Sequence, residues 1–123
     1  MGNTEGISWK DVPVDEVLDG ISRQVVTGES FTLVRYTYQP GSVFPLHSHP
    51  EEQLTLVHSG EIEFTVGGKT VLLKEGMLAA IPAGVPHGAR VIGDSSVISD
   101  NYIASAARAG LRWEEDGGGQ PAG

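Results

Sequence analysis

Cysteine is absent from this chain of 123 residues, which removes disulfide staples, thiolate metal ligands and a cysteine nucleophile from its chemistry. Positive charge is scarce: 8 Lys and Arg stand against 16 Asp and Glu, for a net charge of −8. No stretch gathers enough of that positive charge on one face to neutralise several phosphates, so nucleic acid is not an expected partner. No apolar run approaches the roughly 18 residues that a spanning helix needs, so no membrane segment is expected. The opening residues lack the basic and apolar stretches of a secretory leader, which makes a cytoplasmic location the expectation.

What the chain does hold is turn-forming residues. Its 17 glycines and 7 prolines favour many reversals over long helices. The 39% hydrophobic content is enough for one packed core, and the length leaves no room for a second of similar size. Residues 1–6 and the acidic, glycine-rich residues 114–123 read as flexible flanks of a single domain over 7–113. Residues 11–18 fit either an entry strand or one helical turn. Short strands are expected over 24–27, 31–38, 53–58, 61–66, 69–74, 77–81, 88–92 and 96–103. In 61–66, Ile62, Phe64 and Val66 share one face and polar residues the other, the pattern of a half-buried antiparallel strand. Gly67-Gly68 then supplies the two positive-φ positions of a tight hairpin turn. Strands at this spacing, with no long amphipathic helix between them, predict an all-β sandwich or barrel.

The chemistry concentrates in histidine. Three of the four histidines flank the hairpin: His47 and His49 after Pro45-Leu46, and His87 after Pro86. Two residues apart on a strand, His47 and His49 can aim two imidazoles at one point. Gln53 can add an amide oxygen and His87 a further nitrogen, a set suited to a divalent transition metal with positions left open. His58, before the Ser59-Gly60 turn, reads as a solvated residue instead. Glu51 and Glu52 read as loop charges, one of which can orient a ligand histidine.

The order Gly41, five residues, His47, Ser48, His49, three residues, Gln53, six residues, Gly60 resembles the first signature motif of the cupin superfamily, with Gln53 in place of the usual carboxylate. Gly76, five residues, Pro82, Ala83, Gly84, two residues, His87 resembles the second, with Val91 where Asn often stands. The resemblance implies a cupin jelly-roll barrel whose metal ligands are His47, His49, Gln53 and His87. Which metal is bound, Zn, Ni, Mn, Fe or Cu, is not set by such ligands. The amide adds no negative charge, so the centre stays electrophilic and suited to polarising a carbonyl or hydroxyl.

The string from His47 to Gln53, with Gly60-Glu61-x-Glu63-Phe64-x-Val66-Gly67-Gly68, is most similar to the small uronate-linearising cupins of pectin and alginate breakdown. In those proteins an Asp, an aromatic two residues on and a later Arg surround the metal. Asp100 and Tyr102 match the first two, which implies that Asp100 moves a proton and Tyr102 positions the substrate. The family Arg position falls on Ala106, with Arg108 displaced, and Glu51 stands where a histidine is common. Small cupins that cyclise aromatic polyketides are similar as well. The expected function is therefore redox-neutral chemistry (isomerisation, ring opening, cyclisation or elimination) on a small oxygenated substrate, an unsaturated uronate or a polyketide. An iron-dependent dioxygenase and a binding module without turnover are the alternatives. Strands carrying Leu54, Leu56, Leu72 and Leu78 are expected to offer outward apolar surface to a second copy in a homodimer. Whether Arg35 or Tyr36 faces the interior depends on a register that composition leaves open.

Overall fold

The computed structural model describes residues 6–104. Of the flanks expected to be flexible, 114–123 and all of 1–6 but Gly6 fall outside the described residues, as do Ala106 and Arg108. The described chain carries one 3₁₀ turn, Trp9–Asp11, and ten strands: β1 Asp15–Leu18, β2 Ile21–Thr27, β3 Phe31–Tyr38, β4 Val43–His47, β5 Gln53–Ser59, β6 Glu61–Val66, β7 Lys69–Lys74, β8 Leu78–Ile81, β9 His87–Val91 and β10 Val97–Ala104. Within 11–18 the chain forms a strand, Asp15–Leu18, and the 3₁₀ turn ends at Asp11 where that stretch begins. Among the described residues no helix is long and apolar enough to cross a membrane.

Two antiparallel sheets result, one of six strands in the order β1-β2-β3-β10-β5-β8 and one of four in the order β4-β9-β6-β7. The fold is all-β and jelly-roll-like. Period-2 alternation drives the closure. On β3, Val34, Tyr36 and Tyr38 are sealed inside, and they meet Phe44, Ile62 and Phe64 of the opposite sheet in one core. Tyr36 stands edge-on to Phe44 with ring centroids 5.8 Å apart. The register question on β3 is therefore settled: Tyr36 faces inward and Arg35 outward.

The hairpin forms as expected. Val66 pairs with Lys69, and Gly67 and Gly68 take φ of 56° and 84°, values open to glycine at no steric cost. Strand β4 carries no clear alternation and contains Pro45, which cannot donate to a ladder. It is tolerated because β4 lies at the edge of its sheet. β2 begins earlier than expected, at Ile21, because Ile21 pairs with Tyr38 and is 1% exposed. The amide of Gln24 donates to the carbonyls of Trp9 and Val12 at 2.8 and 3.0 Å, which pins the N-terminal turn over the outer face of the six-stranded sheet.

Candidate metal centre

Simple alternation along β4 from the buried Phe44 would send Leu46 inward and His47 out. The opposite occurs, because the register between β4 and β9 shifts between Phe44 and His47. The extra residue of this bulge turns Leu46 to solvent at 65% exposure and pairs His47 with His87. Gly88 permits it: a Cβ there would sit 2.8 Å from the Phe44 carbonyl oxygen and 3.1 Å from the Leu46 nitrogen, closer than a side-chain carbon can approach. His49 lies beyond the end of β4, so it reaches the site from a loop rather than from the strand expected of it. That loop is held by the Gly84 amide, which donates to the His49 carbonyl at 2.8 Å. His87 opens β9.

The three rings converge. Centroids of His47 and His87 are 4.3 Å apart, those of His49 and His87 4.9 Å, and those of His47 and His49 5.8 Å. One ligating nitrogen from each lies within 4.8 Å of the other two. Each ring is oriented by a backbone carbonyl two residues away: Nδ1 of His47 meets Pro45 O at 3.0 Å, Nδ1 of His49 meets Glu51 O at 3.0 Å, and Nδ1 of His87 meets Val85 O at 2.9 Å. A carbonyl oxygen only accepts, so Nδ1 carries the proton and donates in all three. A ring fixed in this way, when neutral, presents the Nε2 lone pair that ligates a metal.

Gln53 starts β5 fully buried. Its Nε2 donates to Thr55 Oγ1 at 2.8 Å, and the Thr55 hydroxyl donates in turn to Asn101 Oδ1 at 2.9 Å. This relay turns the amide oxygen towards the histidines, where Gln53 Oε1 lies 3.2 Å from His49 Nε2. Since the His49 proton is on Nδ1, both atoms of that contact are lone-pair donors with no hydrogen between them. Two such atoms side by side in a buried site suit a shared cation, and three imidazoles with one neutral oxygen suit a divalent transition metal.

Electrostatics act in the same direction. Burial first, and the neighbouring His87 second, hold the His49 pKa below its ordinary 6.5 and keep the ring neutral. Of the two adjacent carboxylates, Glu52 is exposed and Glu51 is buried at 4% exposure. Glu51 Oε1 lies 3.7 Å from His49 Nδ1, so a buried carboxylate backs the cluster although the inward-facing donors are neutral. His58 is exposed, as expected of a solvated residue.

Asp100 and Tyr102 require a correction. On β10, Val97, Ser99, Asn101 and Ile103 point inward, and Asn101 joins the Gln53 relay. The alternating positions, Asp100 and Tyr102, fall on the opposite, outer face of the sheet. There the Asp100 carboxylate accepts from Arg35 Nε at 2.7 Å and Arg35 Nη2 at 2.9 Å, and the guanidinium lies 4.5 Å from the Trp9 ring centre. Asp100 raises the Arg35 pKa further. Tyr102 is 40% exposed. Neither residue reaches the histidines; the backbone between them and the cluster separates the two faces. The residue of β10 that serves the cluster is Asn101, whose sign in the sequence was only that it shares parity with Ser99 and Ile103.

Residues 34–98 match the family described as Cupin domain, a span that includes all three converging histidines and Gln53. The chain is a cupin. Among curated proteins it is 41% identical over 66 residues to quercetin 2,3-dioxygenase of Bacillus subtilis strain 168, covering 53% of this chain and 20% of that protein. It is 40% identical over 77 residues to H2HPP isomerase of Bacillus subtilis, covering 60% of this chain and 31% of that one. The cupin thus spans less than a third of the length of either relative. Among solved structures it is similar to KdgF from Halomonas sp., with a TM-score of 0.74 and 22% identity over 84% of this chain and 96% of that one. The likeness to KdgF at this identity is one of fold.

Proposed function

We propose that this cupin binds one divalent transition metal on His47, His49, Gln53 and His87 and carries out redox-neutral chemistry on a small oxygenated substrate such as an unsaturated uronate or a polyketide. The observation that carries the reading is the 3.2 Å contact of His49 Nε2 with Gln53 Oε1, two lone-pair atoms whose other ends are committed to Glu51 O and Thr55 Oγ1. Bound there, the metal supplies Lewis-acid polarisation of a carbonyl or hydroxyl. The chain's own contribution is preorganisation. Three backbone carbonyls fix the ring tautomers, and the Thr55-Asn101 relay aims the amide before any substrate arrives. Phe44, 4.7 Å from the His47 ring, gives the site an apolar wall.

Metal analysis of protein purified without added metal tests the reading. It expects about one ion per chain, lost in His87→Ala, and loss of the ring-alkene absorbance when unsaturated uronates are supplied. Protein that takes up no divalent metal overturns it. The likeness to quercetin 2,3-dioxygenase favours one second reading, an iron-dependent dioxygenase, which predicts substrate-dependent oxygen consumption; a ligand recovered unchanged under both assays leaves a binding module instead. The cupin acts in the cytoplasm and pairs with a second copy through the outer face of the six-stranded sheet, where Phe31, Leu54 and Leu78 are 66%, 47% and 64% exposed. Sedimentation at a single-chain mass overturns the pairing.

A further inference from the structure

Glu51 is sealed against the histidine cluster, whereas its neighbour Glu52 is turned to solvent. The side chains of Glu51 and His49 are each 2% exposed, and Glu51 Oε1 lies 3.7 Å from His49 Nδ1. The backbone carbonyl of the same residue accepts from that nitrogen at 3.0 Å. One residue therefore meets His49 twice. The carbonyl fixes the ring tautomer, and the carboxylate sets a negative charge beside the ring edge that does not ligate. The ring cannot swing away from this charge easily, because the loop that carries it is also held by the Gly84 amide, which donates to the His49 carbonyl.

The placement matters because the converging donors carry no charge of their own. Three neutral imidazoles and an amide oxygen leave a divalent cation with its full positive charge in a site where His49, Gln53 and His87 are all buried. Charges out of contact with water interact more strongly than exposed ones and are screened less by salt. A carboxylate beside the protonated Nδ1 also strengthens Nε2 of the same ring as a donor to a metal. Glu51 satisfies both conditions, while Glu52, carrying the same charge one residue on, satisfies neither.

We propose that Glu51 is a positioning residue of the metal centre: its buried carboxylate supplies, through His49, the negative charge that the donor set lacks, and so sets how tightly a divalent cation is held. The proposal rests on the metal reading above. It goes beyond that reading by giving an anionic role to a residue that is not a ligand, at a position where the uronate-linearising cupins that this chain resembles commonly carry histidine.

The test is zinc titration of the full chain by calorimetry, with Glu51→Gln and Glu52→Gln measured beside the native protein. Each variant loses one formal charge, and the backbone contact of residue 51 to His49 is left in both, so the pair isolates the buried carboxylate. Glu51→Gln is expected to weaken zinc at least about tenfold, by nearly the same factor at low and high salt. Glu52→Gln should stay within about twofold of native. Glu51→Asp keeps the charge but draws it back along the side chain, and should fall between native and Glu51→Gln. Cobalt-loaded Glu51→Gln should keep the visible absorption intensity of the native cobalt form, because the four donors remain in place. Zinc affinity of Glu51→Gln within about twofold of native, or an equal loss in Glu52→Gln, overturns the proposal and leaves the metal centre standing. So does a cobalt absorption that dims in Glu51→Gln, which would make Glu51 a structural support of the loop. A native protein that takes up no zinc overturns the metal centre, and this proposal with it.

Discussion

Replacing Asp100 by alanine separates a catalytic carboxylate from a structural one. Asp100 makes a bidentate pair with Arg35, at 2.7 and 2.9 Å, with side-chain exposures of 17% for Arg35 and 9% for Asp100. Removing one member of a fully buried pair costs about 3–5 kcal/mol, and partial exposure reduces this to about 2–3 kcal/mol. The orphaned guanidinium keeps the face of Trp9 at 4.5 Å, which limits the loss further but does not replace a charge. For a domain near this size the melting temperature should fall by roughly 10–15 °C. Metal affinity should hold within about twofold, because β10 turns this side chain away from the histidines. The double variant Arg35→Met/Asp100→Leu should recover to within about 1 kcal/mol of the native protein, since no charge is then left alone. Thermal melting and metal titration on the same samples decide it. Stability within about 0.5 kcal/mol of native, joined to a tenfold loss of metal affinity or turnover, would refute the outward placement of Asp100.

Thr55→Val keeps the shape of the side chain and removes the hydroxyl between Gln53 and Asn101; metal affinity should fall about tenfold by calorimetry, and an unchanged affinity would show that the relay does not aim the amide. The metal-free protein should also lose stability in mild acid. His49 has a folded pKa below its ordinary 6.5, so between those two values the unfolded chain binds more protons. The contribution is complete above about pH 6.5 and is lost as pH falls towards the folded pKa. Denaturant midpoints across that window should show the slope, and His49→Ala should flatten it.

Much of the centre was legible because its residues are bound to turns. Gly41, Gly60, Gly76 and Gly84 all take positive φ, and such positions leave a fixed spacing in the chain. His47, His49, Gln53 and His87 could be found by counting from them. Asp100 could not be placed by the same logic. β10 lies inside its sheet, between β3 and β5, and Ser99, Asp100 and Asn101 in a row are all buried. With both faces covered there is no polar and apolar alternation to reveal which parity faces the core, so Asp100 and Asn101 exchanged roles.

Local chemistry, then, was enough to determine an all-β chain and the Gly67-Gly68 hairpin, because turn geometry and strand period act over a few residues, while the four side chains suited to one metal were marked by the likeness of their spacing to the cupin motifs. Which face each strand shows to the interior was decided only when the two sheets closed. The β4 bulge rotated His47 inward, and the pairing of β10 sent Asp100 out. A side chain's direction in a sheet alternates at every residue, so a shift of one position between distant strands reverses it, and such a shift is settled by packing rather than by neighbours in the chain.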